Sequence, residues 1–199
     1  MNNYTKDKEF SDFVHQNLAV KIIYDKFNWV PQNINRRVVE NVDIFNGVDR
    51  FFVDVERNKI ITVQERFREE KYQYYSDFTI RYKRDFNKFE ERKLSEFFKL
   101  EADFFVYGVI NTSKINMRYS SNFIKYAVID INVLKKLFNE SSIIIDENLQ
   151  GVYCKIKNEK LVCPIIFNRD KSSSFIPIDI VLLKKIFRDE KVLIESKGY

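Results

Sequence analysis

Two short stretches of this chain carry residue types that could handle a phosphodiester. One is Gly47-Val48-Asp49, an acid just after a turn; the other is Gln64-Glu65-Arg66, which closes the apolar run Ile60-Ile61-Thr62-Val63. Arg57-Asn58 between them fits a tight hairpin, which sets the start of one strand beside the end of its partner. Phosphodiester hydrolysis uses such a place. Oxygen ligands hold Mg²⁺ (or Mn²⁺), the ion polarises the phosphate and acidifies a bound water, and a nearby cation stabilises the developing charge. Asp49 is one metal ligand in this reading, and the second is the Gln64 side-chain carbonyl or the Glu65 carboxylate. Arg66 supplies the cation. Side chains alternate along a strand, so Gln64, Arg66 and Arg68 share one face while Val63, Glu65 and Phe67 share the other. Only one of the two candidate ligands can therefore act together with Arg66.

Other catalytic constellations are missing. The sequence holds no P-loop and no GxGxxG motif, and its one histidine, His15, is expected on the solvent side of the first helix. Cys154 and Cys163, with that lone histidine, are too few for a Cys/His zinc site or a disulfide scaffold. They are expected as free thiols facing each other across a hairpin that turns at Asn158-Glu159, a cross-strand disulfide being the sharper alternative.

The elements around the two stretches follow from periodicity. Phe10, Phe13, Val14, Leu18, Ile22 and Ile23 recur at helical spacing and predict a helix over 9–28, ending before Pro31. A loop with a short element is expected over 32–46. Strands are expected at 50–55, 59–68 and 77–82, a helix at 87–99 and a fourth strand at 102–110. Farther on, Ile129-Asp130-Ile131-Asn132-Val133-Leu134-Lys135-Lys136 is echoed by Ile178-Asp179-Ile180-Val181-Leu182-Leu183-Lys184-Lys185. Each reads as a strand entering an amphipathic helix, with Asp at the helix start to accept orphan N–H groups.

With Gly47-Val48-Asp49 followed by Val63-Gln64-Glu65-Arg66, the chain resembles the PD-(D/E)xK nuclease superfamily, the restriction-endonuclease-like fold. The order helix, three strands, helix, strand over 9–110 is similar to that superfamily's common core. The resemblance implies an α/β fold with a mixed sheet flanked by helices, and residues 111–199 as a C-terminal strand–helix elaboration of a single domain, 1–199. It implies a Mg²⁺- or Mn²⁺-dependent DNA endonuclease, possessing Asp49 and Gln64 or Glu65 as metal ligands. Asp103 fits the later strand of the core, and Glu9 or Asp12 the acid that this family sometimes adds from its first helix. The usual third-strand motif is Glu-x-Lys, sometimes Gln-x-Lys. Arg66 departs from it, since arginine keeps its proton yet binds phosphate bidentately. A homodimer is expected by analogy with enzymes that cut two strands.

Composition sets the outer bounds. The net charge of +5 and pI near 9.0 suit a polyanion partner, although 34 cations stand against 29 anions and an ordinary solvated surface gives the same balance. Between Arg66 and Lys93 the basic residues outnumber the acidic ones and alternate with tyrosines. Arg68, Lys71 and Arg81 are the candidates for nucleic-acid contact there, and Arg36-Arg37 is a second, smaller basic pair. No stretch approaches the roughly 18 apolar residues of a membrane helix, and the polar N-terminus lacks a leader core, so a cytoplasmic protein is expected. Two other functions fit the same residues: a catalytically inactive nucleic-acid-binding module on this fold, and a protein-interaction domain without nucleic acid.

Overall fold

A computed structural model of the chain describes residues 3–32, 34, 47–84, 96–149, 151, 153–168 and 172–199. The element expected within 32–46, the pair Arg36-Arg37 and most of the helix expected at 87–99 lie outside the described residues. In chain order the elements are α1 (Asn3–Val14), a π-helical turn (His15–Ala19), α2 (Val20–Ile22) and a 3₁₀ turn (Tyr24–Phe27). There follow β1 (Trp29–Pro31), β2 (Arg50–Asp54), β3 (Lys59–Arg68), β4 (Asp77–Lys83), α3 (Glu96–Lys99), β5 (Phe104–Ile110) and β6 (Phe123–Asp130). Then come α4 (Ile131–Asn139), β7 (Ile143–Asp146), β8 (Lys155–Lys157), β9 (Lys160–Pro164), β10 (Ile166–Phe167), β11 (Ser174–Asp179), α5 (Ile180–Ile186) and β12 (Leu193–Lys197).

The fold is α/β around a mixed six-stranded sheet in the order β1-β2-β3-β5-β6-β12. β5 runs parallel to β3, and the other neighbours are antiparallel. Every residue of β5 is buried, as expected of a strand covered on both faces. One face packs on the first helical segment through Phe10, Val14, Leu18 and Tyr24. The other packs on α4, α5 and two smaller sheets through Phe105, Ile129, Leu134, Ile178 and Leu183.

The expected third strand forms at Asp77–Lys83 but leaves the main sheet. It pairs with β11, from Asp77↔Asp179 to Lys83↔Ser174, in a three-stranded sheet β10-β11-β4. β5 takes the place beside β3 instead, because its unbroken apolar run can be covered on both faces. β4 alternates less completely and keeps Arg81, Tyr82 and Lys83 half-exposed. The repeated strand–helix unit has the expected form at both sites. Asp130 accepts the Val133 N–H at 3.0 Å, and Asp179 accepts the Leu182 N–H at 2.8 Å. The hairpin β8–β9 turns at Asn158-Glu159, both at positive φ, and leaves Cys154 Sγ 3.4 Å from Cys163 Sγ as free thiols. Among the described residues no helix is long and apolar enough to cross a membrane.

Gly108, in the middle of β5, is fixed by close approach. It faces Phe67 on one neighbour and Tyr126 on the other, with the Phe67 and Phe123 rings 5.7 Å apart over it. A Cβ at this position would lie 2.6 and 2.8 Å from two Phe123 ring carbons. Gly108→Ala should therefore cost about 1–3 kcal/mol through overpacking, although alanine elsewhere in a strand would help. Urea unfolding at pH 7 checks this, with a lower midpoint at unchanged slope expected.

Candidate functional site

The β2–β3 register sets the site. Arg50 faces Val63, so one step back along the hairpin Asp49 stands opposite Gln64. Asp49 N–H donates to the Val63 carbonyl at 3.0 Å, and its Oδ2 accepts the Glu65 backbone N–H at 2.7 Å. The aspartate is thus pinned to β3 through main chain on either side of Gln64. Val48 is buried beneath the loop, and Gly47 turns there at φ +63°. A Cβ on Gly47 would meet Gln64 Oε1 at 3.7 Å and the Lys99 carbonyl at 3.6 Å. The left-handed backbone favours glycine here, while the Cβ distances themselves are ordinary van der Waals contacts.

Gln64 is 5% exposed, and its Oε1 has no hydrogen-bond partner among the described residues. A buried amide oxygen without a donor is unfavourable by about 1–3 kcal/mol. Such an atom, one strand across from a carboxylate, is a natural ligand for a hard cation. Mg²⁺ fits this donor set, since it is commonly held by one or two carboxylates and keeps water or substrate oxygens elsewhere. Among the described residues no group of three His, Cys, Asp or Glu side chains could hold a metal. The fit therefore rests on Asp49 and Gln64.

Glu65 points the other way, into the helical layer, and its carboxylate is fully engaged. Oε1 accepts from His15 Nδ1 at 2.7 Å and from the Tyr24 hydroxyl at 2.5 Å; Oε2 accepts from Arg50 Nε at 3.1 Å. Arg50 Nη2 also donates to Asp12 Oδ1 at 2.5 Å. Burial alone would raise the Glu65 carboxyl, but His15, Arg50 and Tyr24 outweigh it and hold the group below its ordinary range. The Tyr24 hydroxyl is pushed up by burial and by Glu65. Arg50 would be lowered by burial, yet Glu65 and Asp12 keep it above its usual value. Alternation thus puts Gln64 with Asp49 on one face and reserves Glu65 for the other.

The remaining candidates are placed as follows. Arg66, on the Gln64 face, donates from Nη1 to the Thr79 carbonyl of β4 at 3.0 Å. Arg68 reaches Thr79 Oγ1 at 3.4 Å and lies over the Tyr72 ring, 5.2 Å from its centroid. Both arginines bridge the main sheet to β4. Lys71 is exposed and pairs with Glu69 at 2.5 Å, and Arg81 is half-buried on β4. Asp103 Oδ2 accepts the Thr62 N–H at 2.8 Å and the Thr62 hydroxyl at 2.9 Å, clamping β3 to the start of β5. Asp12 serves Arg50.

His15 corrects the sequence reading. It is 8% exposed and faces the sheet rather than solvent. The buried stripe of this segment is two residues wide per turn, pairing Val14 with His15 and Leu18 with Ala19. The π-helical turn beginning at His15 lies where the stripe widens. A polar residue inside an apolar stripe was the available signal, and the partner it implied is Glu65. Comparison with known proteins found no matching protein family, no matching curated protein and no matching solved structure.

Removing the Glu65 charge should unlock this network. Glu65→Gln leaves donors facing a neutral amide and is expected to cost about 3 kcal/mol at pH 7. The carboxyl's folded pKa lies below its unfolded one. Its contribution is therefore complete above about pH 4.3, the ordinary glutamate value, and disappears as pH falls through the folded pKa. Urea unfolding of both proteins from pH 7 to pH 3 should show their difference shrinking only in that acid range; a pH-independent difference would contradict the assignment.

Proposed function

We propose that this chain is a divalent-metal-dependent deoxyribonuclease of the PD-(D/E)xK type, with Asp49 and Gln64 as the pair that would hold the ion. The observation that carries the reading is the buried, unpartnered Gln64 Oε1 in register with Asp49. The sheet adds support: a β2–β3 hairpin carries the pair, and β5 returns parallel to β3 after a crossover containing α3. This agrees with the restriction-endonuclease-like core, with β4 as a strand diverted into a second sheet.

Mg²⁺ or Mn²⁺ bound there would polarise the scissile phosphate and acidify a water. The chain's own part is positioning. The Glu65 backbone N–H holds one Asp49 oxygen in place, and the Glu65 side chain fixes β3 against the helical layer. Arg66, half-exposed on the Gln64 face, supplies a permanent positive charge for a non-bridging phosphate oxygen. It cannot serve as a general base, because a guanidinium does not give up its proton. The second reading, a silent nucleic-acid-binding module on the same fold, draws on that same arginine, which stands where the motif has lysine and is engaged by the Thr79 carbonyl.

Nicking of supercoiled plasmid by the pure protein separates these readings. Wild type should nick with Mg²⁺ or Mn²⁺ and stop on addition of chelator. Asp49→Ala and Gln64→Ala should each lose about a hundredfold or more, the scale for groups that stabilise transition-state charge. Gln64→Glu restores the commoner carboxylate and should stay active at lower Mg²⁺. No cleavage by wild type with either metal would remove the nuclease reading.

A further inference from the structure

A groove of about 580 Å³ runs between α5 and β12, away from the Asp49–Gln64 pair. Lys184, Lys185, Arg188 and Lys191 line it, and all four are exposed. None of the four is in an ion pair among the described residues. The acid in its wall, Glu195, is already engaged by Lys26 Nζ at 2.6 Å and by the Tyr126 hydroxyl. Asp189 and Glu190, in the turn between Arg188 and Lys191, do not line it. The groove lining therefore presents four exposed positive charges and one acid, Glu195, which is already engaged.

Its position follows from strand register. Gln64 pairs with Phe105, Phe105 with Ile129, and Ile129 with Leu193, the first residue of β12. These residues form one row across the sheet, and Phe105, Ile129 and Leu193 belong to the same core layer as Leu183 and Phe187 of the α5 segment. Gln64 faces that side too, opposite Val63 and Phe67. Three strand spacings separate the ends of the row, about 14 Å in all. Phe105 and Ile129 are fully buried beneath the covering layer, so a nucleic-acid strand, with one charge per roughly 3.4 Å of duplex axis, must pass around that layer and would span at least about four nucleotide steps between the two ends.

We propose that the α5–β12 groove binds a nucleic-acid phosphate backbone, seating the duplex arm that leads away from the Asp49–Gln64 pair. The direction of the arm rests on the nuclease reading, whereas the binding does not. Charge decides the class of partner: contacts from lysine and arginine to phosphates are independent of sequence and release counterions, so they leave a signature in salt.

The test is fluorescence anisotropy of a labelled 30-base-pair duplex in chelator, from about 50 to 200 mM salt, where no cleavage intervenes. The quadruple variant Lys184→Ala, Lys185→Ala, Arg188→Ala, Lys191→Ala changes only exposed side chains, and circular dichroism verifies its fold. The slope of log K against log salt should become shallower by about 2–4, near 0.9 per lost phosphate contact, with at least a tenfold loss of affinity at about 100 mM salt. A control removing Lys157 and Lys160, at the β8–β9 turn, should leave the slope unchanged. The proposal is overturned if the quadruple variant keeps the wild-type slope, if the control lowers it equally, or if wild type binds polyglutamate but no duplex. Wild type that nicks plasmid while the quadruple variant binds normally would refute the groove and spare the nuclease reading. A slope lost as expected in a protein that never nicks would do the reverse.

Discussion

The buried Glu65 carboxylate is the constraint on which the candidate site depends. Its side chain is 2% exposed, and a lone charge in such a place is strongly unfavourable. Three donors from three separate segments offset that cost: His15 from the π-helical turn, Tyr24 from the following 3₁₀ turn and Arg50 from β2. Satisfying one carboxylate therefore fixes the helical segment, the hairpin and the middle of β3 relative to one another. Geometry matters more than the sum of the bonds, because losing any one donor leaves a buried charge short of a partner. The surrounding rings reinforce the arrangement, with Tyr24 4.4 Å from Phe52 and Trp29 packed against Phe104.

That network acts on the opposite face through the main chain. A strand residue has one side chain but two neighbours, and fixing Glu65 also fixes its N–H, which holds Asp49, and the residue before it, Gln64. The division is economical in residues: Glu65 faces the helical layer and is neutralised there, while Gln64 faces the other side with an unpartnered oxygen. A carboxylate in both places would set two negative charges on adjacent residues of a strand that already approaches Asp49. An amide at Gln64 avoids that repulsion and still offers an oxygen. The same economy appears at Asp103, whose carboxylate ties Thr62 of β3 to the start of β5 and so fixes the strand one step from the site.

Local signals made part of this legible in the sequence. The hairpin, the buried strand at Phe104–Ile110, the two Asp-capped strand–helix units and the β8–β9 turn each rest on a period or a turn that a few residues specify. Strand alternation alone separated Gln64 from Glu65. What it did not reveal depends on contacts distant in sequence. His15 reads as a surface residue until Glu65, fifty positions away, is placed beside it. The strand at Asp77–Lys83 has ordinary strand composition, and nothing within it says that its partner is β11 rather than β3. β12 is short, half-buried to exposed along its length and has little periodicity to mark it, and the basic groove exists only once β12 closes the sheet beside α5.

The two arginines of β3 explain why a strand diverted from the main sheet still bears on the site. β4 carries no residue of the Asp49–Gln64 pair, but its Thr79 receives Arg66 through the carbonyl and Arg68 through the hydroxyl. In this position Arg66 cannot swing freely along β3. Its guanidinium is held at a set height on the Gln64 face by the Thr79 carbonyl. A lysine here would have one ammonium to share between β4 and an incoming anion. A guanidinium has five donors, so one N–H can stay on Thr79 while others point elsewhere. Arginine at position 66 thus suits a strand that faces the second sheet. A carbonyl of the second sheet thus sets where the Arg66 guanidinium lies beside Gln64, and the planar spread of its donors over three nitrogens lets one N–H stay on Thr79 while the group keeps its place on that face.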